Sequence, residues 1–418
     1  MTEKKKREGM LSPYRALDLA GETGLLCGKI LGDLGADVIK IEKPGGDPSR
    51  SIGPFYHDEP DPEKSLFWFA LNTSKRGITL NIETADGQEI FKRLVKGTDF
   101  VIETFAPGYL DKLGLGYSAL EKINPGVILV SITPFGQTGP YKDYKISDVV
   151  AWALGGHMGP YGDPDRPPLR VSHHSQSYLH AGSNGAMGAL IALYHRSSTG
   201  EGQHVDVSID EAMVHASIQH NPTWNNERPP TKRGGEAMPS AGHRSKLLWP
   251  CKDGWVSWSH GGSSRLAPSM PLIKWMQAEG MSNEFLDGFD FNRPDFARIP
   301  QDVMDKIDEP TARFFMMKTK AEILEGCVKH GVMLYPVETT ADILANPQLT
   351  ARDYWVELEH PELGATITYP GAFGIASEVP ISITRRAPLI GEHNKEIYED
   401  ELGISKDKLI ILKQAGVI

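Results

Sequence analysis

The sequence contains little cysteine, no long apolar run and no excess of positive charge. Its 418 residues include three cysteines, Cys27, Cys251 and Cys327, which are isolated and form no C-x-x-C pair. This spacing favours the reduced thiols of a cytoplasmic protein over disulfides or a zinc site. No segment approaches the roughly 20 apolar residues that cross a bilayer, so no membrane partner is expected.

The charge balance also excludes a class of partners. The net charge is −10, with 54 acidic against 44 basic side chains. Nucleic-acid binding draws most of its affinity from a basic face, so this balance argues against a nucleic-acid partner. The basic residues 3–7 are followed by no apolar run of signal-peptide length, which favours a solvated tail.

A third absence lies in the stretch 167–208, around which the chain is organised. No Asp or Glu occurs between Arg166 and Gly200. The stretch contains instead Gly and Ala at three- and four-residue spacing from Gly182 to Leu193, which predicts a helix with a face open to close backbone approach. A turn at 198–202 and an alternating strand at 203–208 follow it.

Upstream of this stretch, predicted strands alternate with predicted helices. The strands fall at 15–19, 36–42, 77–82, 100–104 and 127–132, and the helices at 24–34, 84–96 and 117–123. This alternation predicts an α/β fold with a parallel, doubly wound sheet. The first helix has glycines at 21, 24 and 28 and no G-x-G-x-x-G, so a dinucleotide fingerprint is absent.

The length favours two domains. We expect a large doubly wound domain over residues 1–221, completed by about 370–418, and a linker rich in Gly and Pro at 222–250. A smaller mixed α+β domain is expected over 251–346, with a strand at 255–259 and helices near 266–279 and 311–330. A return linker is expected at 347–369.

Seven short motifs, spread over most of the chain, occur in the order known from one family. They are LGADVIKIEKP at 34–44, NTSKRG at 72–77, FAPG at 105–108, LGLGY at 113–117, FGQTGPY at 135–141, ELEHP at 357–361 and GEH at 391–393. Each motif alone is weak. Together with the small-residue helix, they resemble the class III CoA-transferases, the family of formyl-CoA and carnitine CoA-transferases.

The resemblance implies an architecture and a ligand. Family members are interlaced dimers with a large doubly wound domain and a small domain, and CoA lies along the large domain. Coenzyme A or an acyl-CoA is then a substrate ligand, with no covalently bound cofactor and no metal. The positions that the resemblance assigns to CoA contact are Glu42, Lys43, Lys75, Arg76, Thr104, Phe105, Lys112, Leu113 and Lys145. Cations and apolar side chains suit the phosphates and adenine of CoA, although the same cations also occur on ordinary protein surfaces.

The family's nucleophile is an Asp that precedes the small-residue helix, and this chain lacks it. Counting back from Arg196 puts the Asp position at Tyr178, whereas counting forward from 167–168 puts it at Ser177. In the family, this carboxylate attacks the donor thioester and forms a mixed anhydride, which the thiolate of CoA reopens. A Tyr or Ser ester does not supply an anhydride of comparable reactivity.

Two further positions depart from the family, and a substitute nucleophile has to be considered. Glu22 stands where the family often has Gln, and Thr104 stands where it often has Asn. Glu22 adds negative charge near a bound carboxylate or oxyanion, which is unfavourable there. A Ser–His pair is an alternative nucleophile, drawn from His173, His174 and His180 with Ser175 or Ser177, but no G-x-S-x-G turn supports it.

Some members of the family consist of two homologous chains, of which only one carries the Asp. The resemblance therefore implies a non-catalytic subunit of a heteromeric CoA-transferase that moves CoA from succinyl-CoA to an aromatic or dicarboxylic acid such as benzylsuccinate. Its partner is then an Asp-containing homologue in an interlaced heterodimer or heterotetramer. Two alternatives stay open: a self-sufficient CoA-thioester hydrolase, lyase or isomerase without the Asp, and a CoA-binding scaffold without turnover.

Overall fold

The computed structural model describes residues 9–170, 175–218, 220–228, 233–262 and 268–418. The chain divides into two compact units. The larger unit contains residues 1–156, 172–222 and 350–418, and the smaller unit contains residues 157–171 and 223–349.

The strands of the described residues are short and mostly buried in the larger unit. In chain order they are β1 Arg15–Asp18, β2 Asp37–Glu42, β3 Lys75–Thr79, β4 Phe100–Glu103, β5 Ile128–Thr133, β6 His204–Ser208, β7 Ala237–Pro239, β8 Arg244–Lys246, β9 Leu248–Cys251, β10 Gly254–Ser257, β11 Tyr335–Pro336, β12 Trp355–His360 and β13 Ala365–Pro370.

The helices range from one turn to more than six turns. They are α1 Leu25–Asp33, α2 Leu66–Leu71, α3 Ala85–Val95, α4 Tyr109–Lys112, α5 Tyr117–Ile123, α6 Asp148–Leu154, α7 Gln176–Thr199, α8 Ile209–Ala216, α9 His220–Glu227, α10 Met270–Ala278, α11 Glu284–Gly288, α12 Gln301–Met316, α13 Lys320–His330, α14 Thr340–Leu344, α15 Pro347–Ala351 and α16 Lys406–Gln414. A short π-helix spans Glu396–Glu401.

Six parallel strands form the sheet of the larger unit, in the order β3-β2-β1-β4-β5-β6. Most of their apolar side chains are buried, on both faces, as expected where helices cover a parallel sheet. The strand order reverses direction between β1 and β4, and this switch point is where doubly wound sheets bind ligands. The α/β class with a doubly wound parallel sheet, predicted from the alternation of elements, is confirmed.

The small-residue face of α7 packs inside its own unit, against α1 and the sheet. A Cβ on Gly182 would lie 3.0 Å from the Leu26 Cβ and 3.3 Å from the Cys27 backbone nitrogen. A Cβ on Gly185 would lie 2.8 Å from the Ile132 Cδ1. The glycines therefore let α7 approach the backbone of α1 closely, and this contact fixes where the first turn of α7 lies.

The opposite face of the sheet is covered by a second layer of helices. Apolar side chains of β1 to β5 pack there against α3, α5 and α16, with Phe91, Leu120 and Leu412 buried between them. The hairpin β12–β13 also belongs to the larger unit, and its Tyr369 shares a cluster with Trp68 and Phe69 of α2.

The smaller unit is built around a three-stranded antiparallel sheet, β11-β10-β9. Its core is rich in aromatic side chains, among them Trp249, Trp275, Phe314 and Phe315. One predicted helix, at 311–330, is two helices, because Thr319 begins α13 with a capping box to Glu322.

Regular secondary structure occurs within the segment that was predicted as a linker. Residues 222–250, interpreted as a linker, include most of α9 and the strands β7 and β8 with part of β9. Residues 157–171 group with the smaller unit. Residues 266 and 267 of one predicted helix lie outside the described residues, and α10 begins at Met270.

The close contact between α7 and α1 can be tested by substitution. Gly182→Val should lower the free energy of unfolding by about 1–3 kcal/mol, because its Cβ meets a Cβ and a backbone nitrogen of α1. Urea denaturation measures this change. The control is Ser197→Val, which introduces the same β-branched side chain on the exposed surface of the same helix. It should change the free energy of unfolding by about 0.5 kcal/mol or less. Equal effects of the two variants would contradict the packing argument.

Candidate active site

A cleft of about 680 Å³ opens at the carboxyl ends of β1 to β4, at the switch point of the sheet. Each wall comes from the residues that follow one strand: Gly21 and Glu22 after β1, Lys43 after β2, Leu80 and Ile82 after β3, and Thr104 and Phe105 after β4. Four residues assigned to CoA contact, Glu42, Lys43, Thr104 and Phe105, thus line one cleft.

The charged side chains of this cleft are mostly acidic. Glu42 is buried and accepts two hydrogen bonds from the Arg50 guanidinium, at 2.6 and 2.8 Å. Lys43 is exposed, and its ammonium lies 2.9 Å from the Glu83 carboxylate. Burial raises the pKa of Glu22; a hydrogen bond from Ser175 opposes this shift. The cleft therefore presents a carboxyl group that binds a proton more readily than usual.

Lys75 does not line the cleft. Its side chain is completely buried below α1, and its ammonium lies 2.8 Å from Asp18 Oδ2. The same ammonium donates to the Leu25 carbonyl at 2.8 Å and to Asn72 Oδ1 at 2.9 Å. Burial lowers the pKa of Lys75, and the Asp18 carboxylate opposes this shift. The ammonium thus has two hydrogen-bond acceptors and one carboxylate ion-pair partner inside the protein.

Arg76 is also bound within the fold. Its guanidinium makes a bidentate pair with Asp37, at 2.9 and 2.6 Å, and contacts Glu396 and Glu401 at 2.7 and 2.6 Å. These carboxylates tie β3 to β2 and to the C-terminal segment. CoA contact by Lys75 or Arg76 stays a prediction, and both side chains have internal partners.

The other assigned positions lie outside the lining of the cleft. Lys112 is exposed at the end of α4, and Leu113 packs partly buried against the core behind it. Lys145 is exposed in the loop before α6. Their role in CoA contact also stays a prediction.

The first turn of α7 carries both candidate positions of the family's Asp. Ser177 is fully buried, and its backbone nitrogen and hydroxyl donate to Asp148 Oδ1 at 3.0 and 2.8 Å. Asp148 begins α6 and is itself buried. This carboxylate therefore accepts hydrogen bonds at the amino end of α7, where the helix dipole favours negative charge.

Tyr178 lies next to Ser177 and is 9% exposed. It lines a cavity of about 10 Å³ together with Glu22, Leu26, Phe67, Leu71, Ser175 and Leu179. Such a volume holds no more than about one water molecule. Glu22 lines both this cavity and the large cleft, so it connects the cleft to the position of Tyr178.

The Ser–His nucleophile stays a prediction, and the two candidate serines are hydrogen-bonded to carboxylates. His173 and His174 lie outside the described residues. His180 is exposed, the Ser177 hydroxyl donates to a carboxylate, and Ser175 Oγ lies 3.4 Å from Glu22 Oε1.

The sequence reasoning missed Asp148 and Asp18. A Ser-Asp pair at 147–148 is a local helix-start signal, but its hydrogen bonds to Ser177 span 29 residues and leave no trace in the spacing. Asp18 ends a buried strand, where an acidic residue needs a cation. That signal was available, although it does not identify Lys75 as the partner.

The described ranges contain neither a metal-ligand cluster nor a membrane-spanning helix. Over the part of the chain that the structure describes, no group of three or more His, Cys, Asp and Glu side chains could hold a metal ion. No helix there is long and apolar enough to cross a membrane. The three cysteines are buried free thiols.

A doubly wound parallel sheet with an open cleft at its switch point is typical of α/β proteins that bind a ligand there. The family model described as CoA-transferase family III matches residues 14–394. The chain therefore belongs to the class III CoA-transferase family, and the resemblance found in the motifs is confirmed. Its relatives act on CoA thioesters.

Curated relatives match along nearly their whole length. The chain is 36% identical over 388 residues to the succinyl-CoA:(R)-benzylsuccinate CoA-transferase subunit BbsE of Thauera aromatica, covering 92% of this chain and 93% of the relative. It is 32% identical to the succinyl-CoA–D-citramalate CoA-transferase of Chloroflexus aurantiacus and 30% identical to the beta subunit of the succinyl-CoA–L-malate CoA-transferase of the same organism. Each of these two matches covers 98% of both chains.

A solved structure shares the fold. A CAIB/BAIF family protein from Brucella suis superposes with a TM-score of 0.79 at 28% identity, covering 94% of this chain and 100% of that chain.

The internal role of Lys75 can be separated from a ligand contact. Lys75→Met should lower the free energy of unfolding by about 3–5 kcal/mol, because it leaves Asp18 buried without its closest cation. Thermal or urea denaturation measures the loss. Lys112→Met, at an exposed position, should change stability by about 0.5 kcal/mol or less.

A double variant completes this test. Adding Asp18→Asn to Lys75→Met should recover part of the loss, because the uncompensated charge is removed. An unchanged stability of Lys75→Met, together with weaker CoA binding, would instead favour ligand contact.

Proposed function

We propose that this chain is the non-catalytic subunit of a heteromeric class III CoA-transferase that moves CoA from succinyl-CoA to an aromatic or dicarboxylic acid such as benzylsuccinate. One observation carries the proposal. The position of the family's Asp falls on Tyr178 or Ser177 in the first turn of α7, and no Asp or Glu occurs from 167 to 199.

The chemistry of the family supports this conclusion. A carboxylate that attacks a thioester forms an anhydride, which the thiolate can reopen, whereas a phenol or hydroxyl forms a more stable ester. The Ser177 hydroxyl donates to the Asp148 carboxylate and has no histidine base among its described partners. Neither candidate residue is therefore suited to the family's first step.

The space and charge around Tyr178 point the same way. The cavity beside it, about 10 Å³, is too small for an acyl group. Glu22, with Asp148 and Asp47 near it, makes this region acidic, which disfavours a carboxylate substrate. The large cleft could still receive part of a CoA molecule, so the chain could bind CoA without reacting with it.

The substrate class is inferred from relatives. The names of three relatives that match nearly the whole chain include succinyl-CoA, and their acceptors are benzylsuccinate, citramalate and malate. All three acceptors are carboxylic acids. We infer succinyl-CoA as donor and an aromatic or dicarboxylic acid as acceptor.

A partner subunit is inferred from an apolar surface on α7. Met187, Ile191 and Tyr194, at four- and three-residue spacing, are 49%, 62% and 81% exposed. They line an apolar groove of about 530 Å³, whose wall includes Phe373. Exposed apolar patches of this kind mark interaction surfaces. Two relatives are named as subunits, so we assign the groove to a homologous, Asp-containing subunit in an interlaced cytoplasmic complex.

A second candidate function is favoured by Glu22. Glu22 lines both the cleft and the cavity of Tyr178, so it places a carboxyl group beside a candidate position of the missing nucleophile. In this alternative, the chain is a self-sufficient CoA-thioester enzyme with Glu22 in the role of the Asp. The raised pKa of Glu22, caused by burial, weakens this alternative because it disfavours the anionic form.

Trapping of a covalent adduct between the chain and CoA distinguishes the non-catalytic subunit from the self-sufficient enzyme. The purified chain, incubated with succinyl-CoA, should form no hydroxylamine-sensitive CoA adduct, because it offers no Asp in the family position. Intact-mass spectrometry measures the adduct. An adduct that disappears in Glu22→Gln would establish the alternative.

In the assembled enzyme, Tyr178→Phe should change kcat by about twofold or less, because the hydroxyl takes no part in the reaction. A loss of several orders of magnitude would show that Tyr178 participates. Replacing the partner's Asp by Asn serves as the positive control, since it removes the nucleophile.

The partner surface gives a second prediction. Co-expression of the chain with its Asp-containing homologue should give a 1:1 heterodimer, or a pair of heterodimers, in native mass spectrometry and light scattering. Ile191→Lys should weaken association at least about 30-fold, because it buries a charge in an apolar contact. Ile410→Lys is the matched control, since Ile410 on α16 is similarly exposed (57%) and lies outside the groove. A homodimer that is active without the homologue would rule the proposal out.

A further inference from the structure

Three polar side chains, Glu103, Ser131 and His204, lie in a row across strands β4, β5 and β6. Ser131 Oγ lies 2.8 Å from His204 Nε2. Glu103 pairs with Ser131 in the register of β4 and β5. The neighbours Ile132 and Val205 face α7, so by strand alternation the row lies on the other face of the sheet.

One end of the row is attached to the wall of the cleft. Glu103 Oε2 accepts a hydrogen bond of 2.6 Å from the Phe105 backbone nitrogen. Thr104 lies between these two residues, and its hydroxyl accepts a hydrogen bond of 2.8 Å from the Gly21 backbone nitrogen. Thr104 and Phe105 both line the cleft, and Glu22 follows Gly21. A change at Glu103 is therefore one hydrogen bond away from the cleft wall.

The charges that face Glu103 disfavour its ionised form. Glu103 is 5% exposed, and its charged neighbours are Asp111 from α4 and Asp206 from β6. Burial raises the pKa of Glu103 to about 7, both aspartates add to this shift, and hydrogen bonds from Ser131 and Phe105 oppose it.

His204 lies at the other end of the row, beside Tyr117. Its ring stacks on Tyr117 with centroids 6.0 Å apart. Desolvation lowers the pKa of His204, and the two aspartates oppose this shift. A cavity of about 210 Å³, lined by Glu103, Ser131 and His204, gives room for several waters that can exchange protons with the row.

We propose that Glu103, Ser131 and His204 form a single proton-accepting row that positions the Thr104–Phe105 wall of the cleft. When Glu103 is ionised, the Ser131 hydroxyl donates to it and accepts from the Nε2–H of His204. When Glu103 takes one proton from water, it donates to Ser131 Oγ, and the Ser131 hydroxyl donates to His204 Nε2. His204 then exchanges its proton from Nε2 to Nδ1 through water, so the row gains one proton in total.

The two states hold the cleft wall differently. A carboxylate is a stronger acceptor for the Phe105 N–H than a protonated carboxyl group. Protonation therefore loosens the segment that carries Thr104 and Phe105. Glu103 is in this sense a positioning residue. The inference does not depend on the proposed function, since the row and the cleft belong to this chain whether or not it turns over substrate.

Hydrogen exchange and histidine tautomers test the row in the full chain, in its native assembly. Protection of the amides in 103–108, corrected for intrinsic exchange, should fall about fivefold as the pH is lowered through 7. The ¹⁵N shifts of His204 should move from the Nε2–H to the Nδ1–H tautomer over the same range. Glu103→Gln should abolish both steps, whereas Glu89→Gln, at an exposed position on α3, should leave them unchanged.

The pH dependence of the free energy of unfolding tests whether Glu103 titrates in the fold. A purely structural role of Glu103 would give no such dependence. Because Glu103 has a raised pKa in the fold, its contribution to the free energy of unfolding is largest below the unfolded pKa and falls as the pH rises to about 7. The difference between wild type and Glu103→Gln should show this slope between pH 4.5 and 7 and be flat above.

Ser131→Ala keeps the test decisive if Glu103→Gln does not fold. It should retain the pH step in the protection of 103–108 and lose the tautomer change of His204, because it breaks the row in the middle. A wild-type His204 that keeps one tautomer from pH 5.5 to 8.5 overturns the proposal, as does a pH step that survives in Glu103→Gln.

Discussion

The close approach of α7 to α1 is the constraint on which the rest of the larger unit depends. Gly182 and Gly185 leave no room for a Cβ beside Leu26 and Ile132, so the axis of α7 is fixed against the sheet. Because the axis is fixed, the first turn of α7 lies beside the turn that follows β1. Glu22 and Tyr178 consequently line the same small cavity. The packing of small residues thus determines where a reactive group on this helix would stand.

Buried charged side chains also hold α1 against the sheet. Asp18, Lys40 and Lys75 are all completely buried, and the Lys75 ammonium spans from the end of β1 to the Leu25 carbonyl in α1. Removing one member leaves an uncompensated charge, which costs more than the pair contributes. Lys40 and Lys75 thus hold strand and helix together, and neither lines the cleft, whose charged side chains are mostly acidic.

Local patterns predicted the fold well because parallel strands and their helices leave a clear alternation in the sequence. The strand at 36–42 and the helix at 117–123 agree with β2 and α5 within one residue. Long-range pairs left no such signal. The bond from Ser177 to Asp148 and the salt bridge between Arg76 and Glu401 join residues 29 and 325 positions apart. The missing Asp was visible in the sequence, whereas the small cavity around Tyr178 required the structure.

The lack of an Asp or Glu from 167 to 199 and the presence of the cleft have different physical consequences. A substitution at Tyr178 changes one side chain at the end of a helix, and the packing of α7 does not require a carboxylate there. The cleft, in contrast, follows from the strand order and from the turns after β1 and β4, which the core of the unit fixes. A chain in this family can therefore lose its reactive group without losing the shape that receives a ligand. The exposed side of α7, with Ile191 and Tyr194, is likewise independent of a carboxylate at the start of the helix. Under the proposed function, selection on such a chain acts on binding and assembly, and the acidic cleft can diverge from the family without cost to a reaction that takes place in the partner.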